Sequence, residues 1–283
     1  MDSKTENNLL AYLILIIAAL TVLCLIATAV FAIVKIANRA PETETEAPTE
    51  SDTDSTPTQV SPQLVTMAET PDAGMEYIDS MIFFGESTTA HLRARGVLSG
   101  GTSTRQVWAD ASGTRMLSSR TTSEPITYPE TGEALTIAEA CERAKPEYLV
   151  LSFGLNGIMG FIRDPARFSD AYTVLIDGIL AASPSTCIVL QSVYPVRNAT
   201  NYSVDVQTLN AHILTLNAQI EQIAASYPNV RFADTASVLR DSDGSLLAAY
   251  DAGDGIHLTN QAYRAILSYL SAILADYIVS ERM

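Results

Sequence analysis

Two short blocks about 170 residues apart hold the groups that acyl transfer through a serine needs. In the first, Phe83-Phe84-Gly85-Glu86-Ser87, an apolar run turns sharply at glycine and delivers a hydroxyl. In the second, Asp254-Gly255-Ile256-His257, a carboxylate stands three residues before an imidazole. The hydroxyl can attack a carbonyl, the imidazole can take its proton, and the carboxylate can hold the imidazole in the tautomer that does so. Each block also has a plainer reading: Ser87 as a helix N-cap, and Asp254 with His257 as a cap beside a surface histidine or as a metal pair. A metal pair lacks company, because no further His or Cys cluster lies nearby in the chain.

Further residues fall where such chemistry would need them. Asn156, in Phe153-Gly154-Leu155-Asn156-Gly157, follows another apolar run, and its amide suits a donor to the oxyanion of a tetrahedral intermediate. Gly113, in Ala111-Ser112-Gly113-Thr114, can offer a backbone N–H to the same oxygen, as can Ser87 itself. A turn asparagine flanked by glycines is the competing reading for Asn156. Tyr194 and Arg197, in Tyr194-Pro195-Val196-Arg197, are expected to border the crevice and touch substrate. His91 reads as a solvent-edge residue rather than a second base, and Trp108 as core. The serine block is neither a phosphate loop, lacking Gly-Lys-Ser/Thr, nor a Gly-x-Ser-x-Gly elbow, since Thr89 takes the last position.

The elements that must carry these residues are legible as apolar runs and helical periodicity. Met81–Phe84, Tyr148–Phe153, Cys187–Ser192 and Val230–Phe232 read as buried strands, with Gln106–Ala109 a fifth. Helical segments lie between them: Thr136 to Lys145, Phe168 to Ala182, Thr208 to Ser226, and Thr259 to Ile278 at the end. Strands alternating with helices imply an α/β domain with a parallel sheet covered on both faces and a site at the carboxyl ends of the strands.

The amino-terminal quarter is different. Leu9 to Val34 runs 26 residues without a charge, roughly 39 Å as a helix at 1.5 Å per residue. We read residues 9–36 as a transmembrane anchor in the lipid bilayer, after a short tail at 1–8; a cleaved signal peptide would have a shorter apolar region. Residues 37–71, rich in Thr, Pro and Glu, form an acidic linker too polar to order itself by burial. Basic residues flank the span on both sides, but the linker resembles the stalk of a bacterial ectodomain, which places the catalytic domain outside the cytoplasm. Residues 72–283 form the globular domain, with a net charge of −9 out of −15 for the chain. Such acidity excludes nucleic acid as a partner and favours neutral or weakly charged substrates. Cys141 and Cys187, the two cysteines beyond the span, read as core thiols.

Taken in order, Gly-Glu-Ser, a glycine, Gly-x-Asn and Asp-x-x-His resemble the SGNH (GDSL-like) hydrolases over residues 78–275. The resemblance implies a three-layer α/β/α, flavodoxin-like fold with a five-stranded parallel sheet, ester hydrolysis, and no cofactor or metal. It implies Ser87 as nucleophile, His257 as base, Asp254 as its orienter, and Ser87, Gly113 and Asn156 as the oxyanion hole. This chain departs from the pattern twice. Glu86 stands where the family usually has aspartate, and Gly157 stands where an aspartate often follows the asparagine, which is expected to loosen the loop that orients Asn156. The expected activity is that of a membrane-anchored serine esterase removing a short acyl group, acetyl foremost, from a cell-envelope or other carbohydrate. An O-acyltransferase on the same triad, or an envelope-binding module that has kept the fold without the activity, are the alternatives. The sequence points to no protein partner.

Overall fold

The computed structural model describes residues 74–281, apart from 111 and 114. The expected tail, anchor and linker at 1–8, 9–36 and 37–71 lie outside the described residues. Among the described residues no helix is long and apolar enough to cross a membrane.

The elements run α1 (Met75–Asp79), β1 (Met81–Gly85), α2 (Ser87–Ala94), β2 (Val107–Trp108), β3 (Ile126–Thr127), β4 (Ala134–Leu135), α3 (Ile137–Ala144), β5 (Tyr148–Ser152), α4 (Ile158–Arg163), α5 (Pro165–Ala182), β6 (Cys187–Gln191), α6 (Val206–Ala225), β7 (Val230–Ala233) and α7 (Asn260–Glu281). Five strands make one parallel sheet in the order β2-β1-β5-β6-β7.

The strands read as unbroken apolar runs because both faces of the sheet are covered, and alternate residues serve opposite layers. Phe84, Leu149, Leu151, Ile188 and Leu190 pack with Ile137 of α3, Leu175 of α5 and Leu216 of α6. Their neighbours Phe83, Tyr148, Val150, Cys187 and Val189 pack with Leu92 of α2 and Ile266 and Leu270 of α7. Each such side chain, fully buried, contributes roughly 1.5–3 kcal/mol. The result is the expected three-layer α/β/α arrangement. Cys141 and Cys187 belong to opposite layers, and both are buried free thiols; burial pushes the Cys141 thiol up to about 12. Trp108 is in the core, edge-on to Tyr128 at 5.8 Å.

Helix boundaries follow local chemistry. Thr136 and Glu139 close a capping box at the start of α3. Helix α5 begins at Pro165, three residues earlier than its periodicity predicts, because proline fits the first helical position and Asp164 caps it by accepting from the Arg167 N–H. Asp205 caps α6 in the same way. Several short elements have no counterpart in the sequence reading, the five-residue α1 among them. The β3–β4 hairpin has strands of only two residues, and α4 is six residues long with Gly160 inside it. Both are too short to show a period.

Candidate active site

Ser87 opens α2 directly after β1, so its hydroxyl stands at the carboxyl edge of the sheet. The turn is tight: a side chain on Gly85 would start against Thr89 Oγ1 and the Ser152 carbonyl oxygen of the neighbouring strand. Only glycine lets β1 approach β5 and turn into a helix within two residues. At the first helical position the Ser87 N–H has no acceptor within its own helix.

The second block arrives from a loop between Asp251 and Leu258, which bridge each other at its base. Asp251 Oδ1 accepts from the N–H groups of Gly253 and Gly255, both at 2.8 Å. Asp254 Oδ1 accepts from Ile256 and His257 at 2.9 and 2.8 Å. Its other oxygen, Oδ2, lies 2.6 Å from His257 Nδ1, and His257 Nε2 lies 3.1 Å from Ser87 Oγ. Hydroxyl, imidazole and carboxylate thus form one hydrogen-bonded line across 170 residues of chain. Partial burial works against the Asp254 charge. The His257 ring and the two backbone N–H groups outweigh it and hold the carboxyl down to about 2.

A second loop braces the first. The N–H groups of Arg197 and Asn198 donate to the Gly255 carbonyl at 2.7 and 3.3 Å. Gly255 has φ +78, and a Cβ there would meet Asn198, lying 2.6 Å from its backbone nitrogen. Gly255→Ala is therefore expected to push the histidine loop away from Ser87. A displacement of about 1 Å would lower kcat on the order of 100-fold, at a stability cost of about 1–3 kcal/mol. Aryl acetate kinetics paired with a thermal melt separate the two effects.

The two residues expected to touch substrate make contacts within the protein. Tyr194 is 8% exposed, and its hydroxyl donates to Gln191 Oε1 at 3.3 Å. It packs beneath the strand ends, in the layer covered by α7. Arg197 is exposed, but its guanidinium turns away to the Leu246 carbonyl at 3.3 Å and Asp241 at 3.7 Å. Its contribution to the site is its backbone.

Gly113, expected to offer its N–H to an oxyanion, makes a contact of its own. It lies beside the first turn of α2, with Ala90 Cβ 3.1 Å from where a Cβ would sit, but its N–H donates to Asp110 Oδ1 at 2.8 Å. Asp110 also accepts from the Ser112 N–H and hydroxyl and from Arg115. Burial opposes its charge, and these donors more than compensate, lowering its pKa. The Gly113 N–H is thus engaged by Asp110 in this arrangement. Asn156 lies in the turn after β5, half-buried, with its backbone N–H held by Glu86.

Two neighbours named in the sequence make contacts at the site that the sequence did not show. His91 is half-buried, its ring centroid 4.7 Å from that of His257. Its burial, then the nearness of His257 and Arg95, lowers its pKa. The i+4 spacing from Ser87 on one helix was the available signal. Glu86 is 5% exposed and reaches across to Gly154 and Asn156; nothing local in the sequence shows that reach.

The sequence profile of the GDSL-like Lipase/Acylhydrolase family matches residues 83–265, which contain all of these residues. No curated protein matches the chain. Among solved structures it is similar to a GDSL-like lipase from Bacteroides thetaiotaomicron VPI-5482 (18% identity, 72% of this chain and 90% of that one, TM-score 0.46). It is also similar to the aryl esterase of M. smegmatis (20% identity, 69% and 97%, TM-score 0.44). A third is a carbohydrate esterase family 3 protein from Talaromyces cellulolyticus (18% identity, 51% and 64%, TM-score 0.40). The profile spans well over half of the chain, and the chain belongs to the GDSL-like lipase/acylhydrolase family, as a serine ester hydrolase.

Proposed function

We propose that the protein is a membrane-anchored esterase that removes a short acyl group, acetyl foremost, from a cell-envelope carbohydrate. The observation that carries the mechanism is the line from Ser87 Oγ through His257 to Asp254, at 3.1 and 2.6 Å. Ser87 Oγ attacks the ester carbonyl carbon while His257 Nε2 takes its proton. The tetrahedral intermediate collapses, the C–O bond to the sugar breaks, and His257 returns the proton to the leaving alkoxide. Water, deprotonated by the same nitrogen, then releases the acyl group from Ser87. Asp254, kept ionised, holds Nδ1–H and stabilises the imidazolium formed in each half. The Ser87 N–H and Asn156 are the oxyanion donors in this reading.

The carbohydrate and the location rest on the sequence: an uncharged span at 9–36, an acidic spacer at 37–71, and an acidic domain suited to neutral substrates. The full-length protein in membranes is expected to label at Ser87 with a fluorophosphonate and to release acetate from O-acetylated glycans faster than it cleaves long-chain esters. Protease added to intact cells is expected to remove the domain. Preference for long acyl chains, or protection of the domain in intact cells, would contradict the corresponding part of the reading. Transfer of acetyl to an added glycan in place of free acetate would identify a transferase.

A further inference from the structure

Glu86 is the residue immediately before the nucleophile, and its side chain has no part in the proton relay. It stands at the N-cap of α2 but does not cap with its side chain; its carbonyl accepts from Thr89 and Ala90 instead. The carboxyl turns across to β5, where Oε1 accepts from the Gly154 N–H at 2.8 Å and the Asn156 N–H at 3.1 Å, and Oε2 accepts from the Asn156 N–H at 3.0 Å. The Glu86 N–H donates to the Ser152 carbonyl at 3.1 Å, so main chain and side chain grip the same strand end. Gly85 and Ser152 are paired in the parallel register. The nucleophile and the Gly-x-Asn turn are thereby connected through one side chain.

The group is costly to keep. Among the described residues it has no cationic partner, and burial pushes its carboxyl up to about 8, against the N–H groups of Gly154, Asn156 and Leu155, which pull the other way. The ionisable groups whose charge it influences are Tyr172 and Tyr202, and neither can neutralise it. The structure also explains why the turn is anchored from outside. Gly157, where the family often has aspartate, has φ +89, and Met116 Sδ lies 2.6 Å from where its Cβ would start. A side chain there would strain the backbone and have to displace the Met116 thioether. The expected loosening is offset by the longer acid on the neighbouring strand.

We propose that Glu86 is a positioning residue: by gathering the backbone N–H groups of Gly154 and Asn156 it fixes Asn156 relative to Ser87 for the tetrahedral intermediate. This rests on the esterase reading above, with Asn156 as an oxyanion donor. A donor that acts only in the transition state changes kcat and leaves KM in place.

The test is a double-mutant cycle on aryl acetate hydrolysis by the full-length protein, normalised by active-site titration. Asn156→Ala is expected to lower kcat about 100- to 1,000-fold. Glu86→Ala is expected to lower it about 10- to 100-fold with KM held, and Glu86→Asp to recover part of that loss. The combined Glu86→Ala/Asn156→Ala protein is expected to be no slower than Asn156→Ala alone, because Glu86 acts through Asn156. If the two losses multiply, or if Glu86→Ala keeps full kcat, the positioning role is overturned. Should Glu86→Ala fail to fold, Glu86→Leu, which keeps the bulk and removes both acceptor oxygens, completes the same cycle with the same criteria. A Ser87→Ala protein that stays fully active overturns the esterase reading itself, a result distinct from additivity in the cycle.

Discussion

Ser87→Ala is expected to lower kcat for aryl acetate hydrolysis on the order of a million-fold, by the scale of serine hydrolases that lose their nucleophile. The geometry leaves no substitute. Thr88 and Thr89 bear the nearest hydroxyls in sequence, but both are buried, and only the Ser87 Oγ faces His257 Nε2. The fold has little to lose from the change. The Ser87 hydroxyl takes no part in capping α2, because the helix is started by the Glu86 carbonyl. Stability is therefore expected to stay within about 0.5 kcal/mol of the parent, as for substitutions away from packed or capping positions. A progress curve and a thermal melt on the same preparation check both halves. Hydrolysis that persists in well-folded Ser87→Ala protein would mean that another group attacks the ester.

Asp254→Asn is expected to lower kcat by about 1,000- to 10,000-fold while leaving the loop where it is. The two oxygens of Asp254 have separate tasks. Oδ1 accepts from the N–H groups of Ile256 and His257, which an asparagine oxygen can continue to do. Oδ2 faces Nδ1 of His257, and there asparagine presents an amide that donates. The ring must then carry its proton on Nε2, the nitrogen that faces Ser87, and can no longer accept one. The pH profile should carry the same information. A carboxyl held down to about 2 has a native value below its unfolded one, so its ionised partnership with His257 is complete above the ordinary aspartate range. That partnership is lost only as pH falls toward about 2. Any acid limb above that pH in the parent protein belongs to a group other than Asp254. A variant with near-parental kcat would show that the ring needs no carboxylate to orient it.

Much of the architecture was readable from the chain because a parallel sheet covered on both faces demands unbroken apolar strands, and these stand out: Tyr148–Ser152 and Cys187–Gln191 are buried at every position. Proline and capping residues marked the helix ends for the same local reasons. Ser87, His257 and Asp254, which the structure lines up, were readable as candidates too, since residue type and place at a strand end or in a loop are properties of short segments. What short segments could not show is which atoms were already engaged. Tyr194 and Arg197 lie at the expected strand end, but Gln191 and the Asp241–Leu246 turn claim their side chains. Gly113 is beside α2, yet Asp110 holds its N–H. Glu86 appeared as a departure from a pattern and turned out to tie two strands together. Sequence alone determined the chemical inventory and the layered fold, because burial period and residue type are encoded locally. Only the tertiary structure decided the partner of each donor and acceptor, because a hydrogen bond between residues 70 or 170 positions apart depends on packing that no local pattern records.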